Sequence, residues 1–110
     1  MRADRLIAAA PVFAALGDPT RLGIVARLCT HGPQSIAQLT EGAAVTRQAV
    51  TKHLVALEDA GLVRGSRDGR ERIWELQGKR LADARHYLEQ ISSQWDAAID
   101  RLRAFVETDD

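Results

Sequence analysis

The stretch "VTRQAVTKHLVALEDAGLV", Val45 to Val63, decides how this chain folds. Val50, Leu54 and Leu57 recur four and three residues apart, which is the buried stripe of an amphipathic helix. Thr46 stands where an N-cap belongs, and Val45 and Val50 have the spacing of a hydrophobic staple across it. Gly61 suits the left-handed residue that ends such a helix. The opposite face is unusual. Solvated faces favour Glu and Lys, whereas this one groups Arg47, Gln48, Thr51 and Lys52 on the leading turns. Its acidic residues, Glu58 and Asp59, come at the far end.

Upstream, Ser35 can cap a short helix that turns Ile36 and Leu39 inward and closes at Gly42. The two segments, about 35–41 and 46–60, predict a helix-turn-helix with the second helix as reader. Downstream, "LVRGSRDGRERIWELQ" has short, partly alternating runs around Asp68-Gly69, a strong hairpin signal. Arg72, Trp74 and Leu76 fall on one side of its second strand, Ile73 and Glu75 on the other. Gly65 is expected to weaken the first strand and mark a bulge. Further upstream, residues 4–16 are Ala-rich and helical in pattern, with Pro11 kinking or restarting the helix and Gly17 ending it. Asp18-Pro19 then starts a helix with Leu22, Val25, Ala26 and Leu28 at roughly helical spacing. It runs to Cys29, expected to be a buried lone cysteine, before Gly32-Pro33 breaks the chain.

After the hairpin, Leu81, Ala84, Leu88, Ile91, Trp95, Ala98, Leu102 and Phe105 alternate three and four apart, a heptad seam. A helix over 79–107 would be roughly 44 Å long, more than one small domain can cover. Trp95 and Phe105 would be costly as free surface. The seam therefore predicts a dimerisation helix, with Leu6 of the first helix joining the interface.

With 110 residues, 45% hydrophobic and 27% charged, the chain fits one globular domain. The start, "MRADRLIAAAPVFAALGDP", superficially resembles a signal peptide, but its apolar run leads into the Asp18-Pro19 helix start and is read as part of the fold. No apolar run is long enough for a membrane span. One cysteine excludes an intramolecular disulfide and fits a reducing cytoplasm. The charge sums to zero, yet it is uneven. Residues 62–72 hold four arginines against two acids, a net of +2, and residues 79–110 hold five basic against seven acidic residues, a net of −2. A local basic surface in the middle of the chain suits nucleic acid.

The chemistry agrees. Arg can bond guanine through two donors, Gln can bond adenine, and Thr can offer a hydroxyl or methyl to a base edge. Lys52 suits phosphate, as do Arg67 and Arg70 of the hairpin. His53 could be a metal ligand, a phosphate donor or a packing residue; its spacing from Val50 and Leu57 favours packing. Cys29 and His31 form a Cys-x-His pair, short of the four ligands of a structural zinc site. No phosphate loop, nucleophile elbow or paired carboxylates appear, so no enzyme is expected. Neither is a metal or cofactor. The fold expected is mainly α with a β-hairpin wing (α+β): a single winged helix-turn-helix domain over 1–110. Its helix-turn-helix spans about 35–60, its wing about 62–77, and its dimerisation helices about 4–16 and 79–107. The alternative is a winged-helix dimer that binds a protein partner without reading DNA.

"FAALGDPTRLGIVARL" (Phe13–Leu28) resembles the entry segment of ArsR-type winged-helix repressors. Val45–Val63 is similar to their recognition helix, and "GRERIWEL" (Gly69–Leu76) to their second wing strand. "SQWDAAIDRLRAFVE" resembles the final helix of a subgroup that carries Trp there. The resemblance implies a homodimeric, cytoplasmic transcription regulator, usually a repressor, that binds a pseudo-palindromic duplex operator on the nucleoid and leaves it on binding an effector. It implies DNA contacts at Gln48, Thr51, Lys52, His53 and the wing arginines. Ser35, Thr46, Arg47, Arg67, Arg70 and Arg72 complete the expected DNA-facing set. The family's metal motifs are missing. "SIAQLTE" lacks the Cys-x-Cys of the thiol site, and Arg85 stands where Asp83 would need a His two residues on.

Overall fold

The computed structural model describes residues 3–42 and 44–108, and the side chains from Ala9 onward within them. The elements run α1 (Ala3–Leu16), α2 (Pro19–His31), β1 (Gln34–Ser35), α3 (Ile36–Thr40), α4 (Arg47–Asp59), β2 (Val63–Asp68), β3 (Glu71–Leu76) and α5 (Gly78–Thr108). Pro11 lies inside a continuous α1.

The starts of α2, α3 and α4 have local causes. Asp18 accepts hydrogen bonds from the backbone N–H groups of Thr20 and Arg21 and caps α2, with Pro19 at the first helical position. Ser35 caps α3 in a full capping box with Gln38. Thr46 caps α4 by accepting from the Ala49 N–H at 3.1 Å. The end of α4 is a Schellman turn: the Leu62 N–H reaches the Leu57 carbonyl, the Gly61 N–H reaches that of Glu58, and Gly61 has φ +78°. A Cβ at Gly61 would also lie 2.8 Å from Arg80 Cγ, so glycine meets two demands there.

The core is built from Val12, Ile24, Val25, Leu28, Leu39, Val50, Leu54, Leu57, Leu62, Val63 and Trp74. Leu54, Leu57 and Trp74 are fully covered. Burying a side chain of that size contributes about 1.5–3 kcal/mol. On α2 the buried face is Ile24, Val25 and Leu28. Leu22, expected inward, is 53% exposed, and Ala26 is exposed too. Cys29, expected to be buried, is exposed. Both corrections have one cause: the helix turns a narrower face to the core than its apolar content suggests.

The sheet has three antiparallel strands in the order β1-β3-β2. The pairing of β2 with β3 is regular from Val63↔Leu76 to Asp68↔Glu71. No bulge occurs at Gly65, which pairs directly with Trp74. The turn residues are Gly69 and Arg70, one position later than the Asp68-Gly69 signal. Gly69 has φ +66° and Arg70 does not have positive φ, the pattern of a II′ turn. Strand β1 was not expected from the sequence.

The molecule measures 70 × 29 × 20 Å. Its length comes from α5, whose 31 residues span about 46 Å. The first part of α5 packs on α1, with Ala84 buried, Leu81 against the core and the rings of Phe13 and Tyr87 5.8 Å apart. Beyond it the helix leaves the globule. Leu88 and Ile91 are exposed, as are Ala98, Trp95 (67%), Leu102 (64%) and Phe105 (68%). Ile99 and Val106 widen this apolar face beyond the expected seam. Leu6 lies on α1, but its side chain falls outside the described residues.

Candidate nucleic-acid interface

The first turns of α4 are held from beneath and open above. Val50, Leu54 and Leu57 anchor the helix in the core. Arg47, Gln48 and Lys52 are exposed on the other side, Thr51 is half-buried, and Arg47 and Lys52 form no ion pair among the described residues. With Thr46, Ala49 and Ile36 they line an open hollow of about 660 Å³. The Thr51 hydroxyl donates to the Arg47 carbonyl at 2.8 Å. It therefore offers a partner its methyl group and an acceptor oxygen, not a free donor. The Thr46 oxygen is engaged as a cap but keeps its own proton to give.

A second, smaller hollow of about 190 Å³ lies beside the first, lined by Ser35, Ile36, Ala37, Arg47, Arg70, Glu71 and Arg72. Arg47 borders both, so the start of α4 and the turn of the wing converge on one surface. Arg67 and Arg70 are exposed near the turn and form no ion pair among the described residues. Arg64 pairs across the strands with Glu75 at 2.9 Å. Arg72 is drawn back over the Trp74 ring, 4.6 Å from its centroid.

Three residues of the expected set have structural duties. Ser35 is buried at 5% exposure, and its hydroxyl is occupied by Gln38. It fixes the start of α3 and presents no free hydroxyl. His53 is half-buried, and its Nδ1 accepts a hydrogen bond from Arg21 Nε at 3.3 Å. That bond ties α4 to α2. The third, Arg72, is engaged with Trp74. Near the His53 bond, the Arg21 N–H bonded to Asp18, helped by the Thr20 N–H, holds the Asp18 carboxyl below its ordinary 3.8 against an opposing effect of burial.

Sequence reading missed Arg27. Its guanidinium donates to the Leu39 carbonyl and the Gln38 carbonyl, each at 3.0 Å, and to that of Glu41 at 3.5 Å. A cation on the open carbonyls at the end of α3 is favourable. It clamps α3 to α2 and so sets where α4 begins. Nothing local to Arg27 signals this, since its partners are more than ten residues away. Among the described residues, no three His, Cys, Asp or Glu side chains gather to hold a metal ion, and no helix is long and apolar enough to cross a membrane.

A helix-turn-helix domain family matches residues 16–66. An HTH-type transcriptional regulator of Mycobacterium tuberculosis is 34% identical over 95 residues, covering 86% of this chain and 85% of the relative. A protein of Streptomyces lividans named "Probable mercury resistance operon repressor" is 32% identical over 88 residues, 80% of this chain and 70% of the relative. Among solved structures, an ArsR-like transcriptional regulator from a Rhodococcus species superposes with a TM-score of 0.76 at 36% identity, covering 91% of this chain and 93% of the other. A homodimeric winged helix-turn-helix DNA-binding domain from Mycobacterium bovis has the same fold, with a TM-score of 0.66 at 23% identity and 84% coverage of both chains.

Proposed function

This chain belongs to the ArsR-type winged helix-turn-helix transcription regulators, which bind DNA, and on that premise we propose that it is a homodimeric repressor reading a pseudo-palindromic operator. One observation carries the reading. Arg47 borders both the hollow along the leading face of α4 and the hollow under the wing turn, so a reader and a phosphate clamp share one surface. Gln48 and Thr51 face base edges, Thr51 through its methyl and acceptor oxygen. Lys52, Thr46, Arg67 and Arg70 hold phosphates on either side.

The exposed seam of α5 supplies the second copy. Trp95, Leu102 and Phe105 are about two thirds exposed among the described residues, and an antiparallel or crossed partner α5 buries them. The M. bovis homodimer is in line with this arrangement. Twofold symmetry then sets two α4 helices at successive major grooves, about 34 Å apart. Residues 1–110 act as one domain of this kind, with the helix-turn-helix over about 35–60 and the wing over about 62–77. The protein works in the cytoplasm on nucleoid DNA, carries out no chemistry of its own, and releases its operator to an effector.

The test begins with selection of duplexes from a random-sequence pool. Gln48→Ala and Thr51→Ala should each weaken binding to the selected duplex by about 1–3 kcal/mol, the discrimination one well-placed side chain gives at a base edge. Binding to unrelated duplex should stay constant. Equal weakening on both duplexes would remove these residues from base readout.

A further inference from the structure

The wing arginines are not equivalent. Arg67 and Arg70 reach outward, but Arg72 is folded back against the protein. Its guanidinium lies over Trp74, 4.6 Å from the ring centroid. Its Nη2 is 3.7 Å from Glu58 Oε1. The other oxygen of Glu58, Oε2, accepts the backbone N–H of Gly65 at 2.9 Å. Gly65 in turn faces Trp74 across the ladder. A Cβ at residue 65 would come 2.6 Å from Arg72 Nε and 3.1 Å from Trp74 Cη2. These four groups form a closed set: the last turn of α4 holds β2 through Glu58, β2 leaves room for the guanidinium, and the guanidinium returns to Glu58 from β3.

We propose that this set is a latch fixing the angle of the wing against the reading helix, and that Arg72 is a positioning residue for DNA binding, not a phosphate contact. The arrangement explains why an acid sits on α4 of a DNA-binding protein. Glu58 is at the end of the helix away from the reading turns, and its charge is spent on the wing. It also explains the glycine. Trp74 is fully buried and cannot move aside, so any side chain at 65 displaces the guanidinium. A planar, delocalised cation suits the ring face better than an ammonium would.

The latch rests on the DNA-binding reading above, and three variants test it on the selected duplex across a salt series. Arg72→Ala, Glu58→Gln and Gly65→Ala should each weaken binding about three- to tenfold, the cost of ordering one or two loosened side chains at the interface. The salt slope should stay at the parent value in all three. Gly65→Ala is the sharpest, because it keeps every charge. Arg72→Lys should not restore affinity. Arg67→Ala, by contrast, should reduce the slope by about 0.9 for each phosphate it leaves unneutralised. If Arg72→Ala reduces the slope in the same way, or if Glu58→Gln strengthens binding by freeing a cation, Arg72 is a phosphate contact and the latch is overturned. A chain that selects no duplex would instead sink the DNA-binding reading. The latch then stands or falls on the free protein: Gly65 amide exchange should accelerate in Arg72→Ala, and unchanged exchange would refute it.

Discussion

The leading turns of α4 and the second half of α5 are both exposed, but water treats them differently. On α4 the outward groups are Arg47, Gln48, Thr51 and Lys52, which water satisfies, and the inward stripe is complete within the chain. On α5 the outward groups include Trp95, Leu102 and Phe105, which water does not satisfy. On the proposed reading, one helix is finished and waits for DNA, and the other is completed by a second copy. Exposure alone therefore does not mark a binding site. What matters is whether the exposed chemistry is stable in water, and that separates an occasional partner from a standing one.

The comparison breaks most visibly on α5. Leu102→Glu places two carboxylates in the seam of one dimer, and each uncompensated buried charge should cost about 3–5 kcal/mol. Sedimentation should show a monomer at concentrations where the parent chain is a dimer. A persistent dimer would take Leu102 out of the interface. On α4 the largest effect should come from below. Leu54→Ala should lower unfolding stability by about 2–5 kcal/mol, seen as a lower urea midpoint at constant m-value. Thr46→Ala removes the cap of α4 and should cost about 1 kcal/mol, while Thr46→Ser should be nearly neutral in the same assay.

The smallest effect concerns acid. The folded Asp18 carboxyl titrates below its ordinary 3.8, so the unfolded chain binds the proton more readily. Its contribution is complete above that ordinary value and fades as pH falls through the lower, folded one. Asp18→Asn should flatten the acid limb of the stability curve below pH about 4 and leave its shape near neutrality unchanged.

The features legible in the sequence were those with local causes. The cap, staple and stripe of α4 lie within twelve residues or so of one another, and the seam of α5 repeats along one helix. The hairpin was visible at Asp68, though its turn fell one residue later. Features created by distant parts of the chain were not legible. Leu22 and Cys29 depend on which face of α2 the other helices choose. Arg27 finds its carbonyls only when α3 packs beside it. Arg72 read as one more wing cation because its stack over Trp74 and its ion pair with Glu58 are tertiary. A signal did exist there. Once the turn is set at Gly69-Arg70, counting back along the hairpin places Gly65 opposite Trp74, the smallest residue against the largest. Ser35 likewise had Gln38 three residues on, the mark of a capping box and so of an occupied hydroxyl.

The short strand β1 has a consequence for the order of folding. Its two residues join the entrance of α3 to β3 through Gln34↔Trp74 and Ser35↔Ile73. Between those partners lie α3, α4, β2 and the hairpin turn, a long loop to close for two residue pairs. The entropy of that closure has to be met before the pairs give anything back, so the helices and the hairpin should form first and this edge last. By the same reasoning it should be the first part of the sheet to open in the native state, a local fluctuation that parts the wing from the helix-turn-helix while both remain folded.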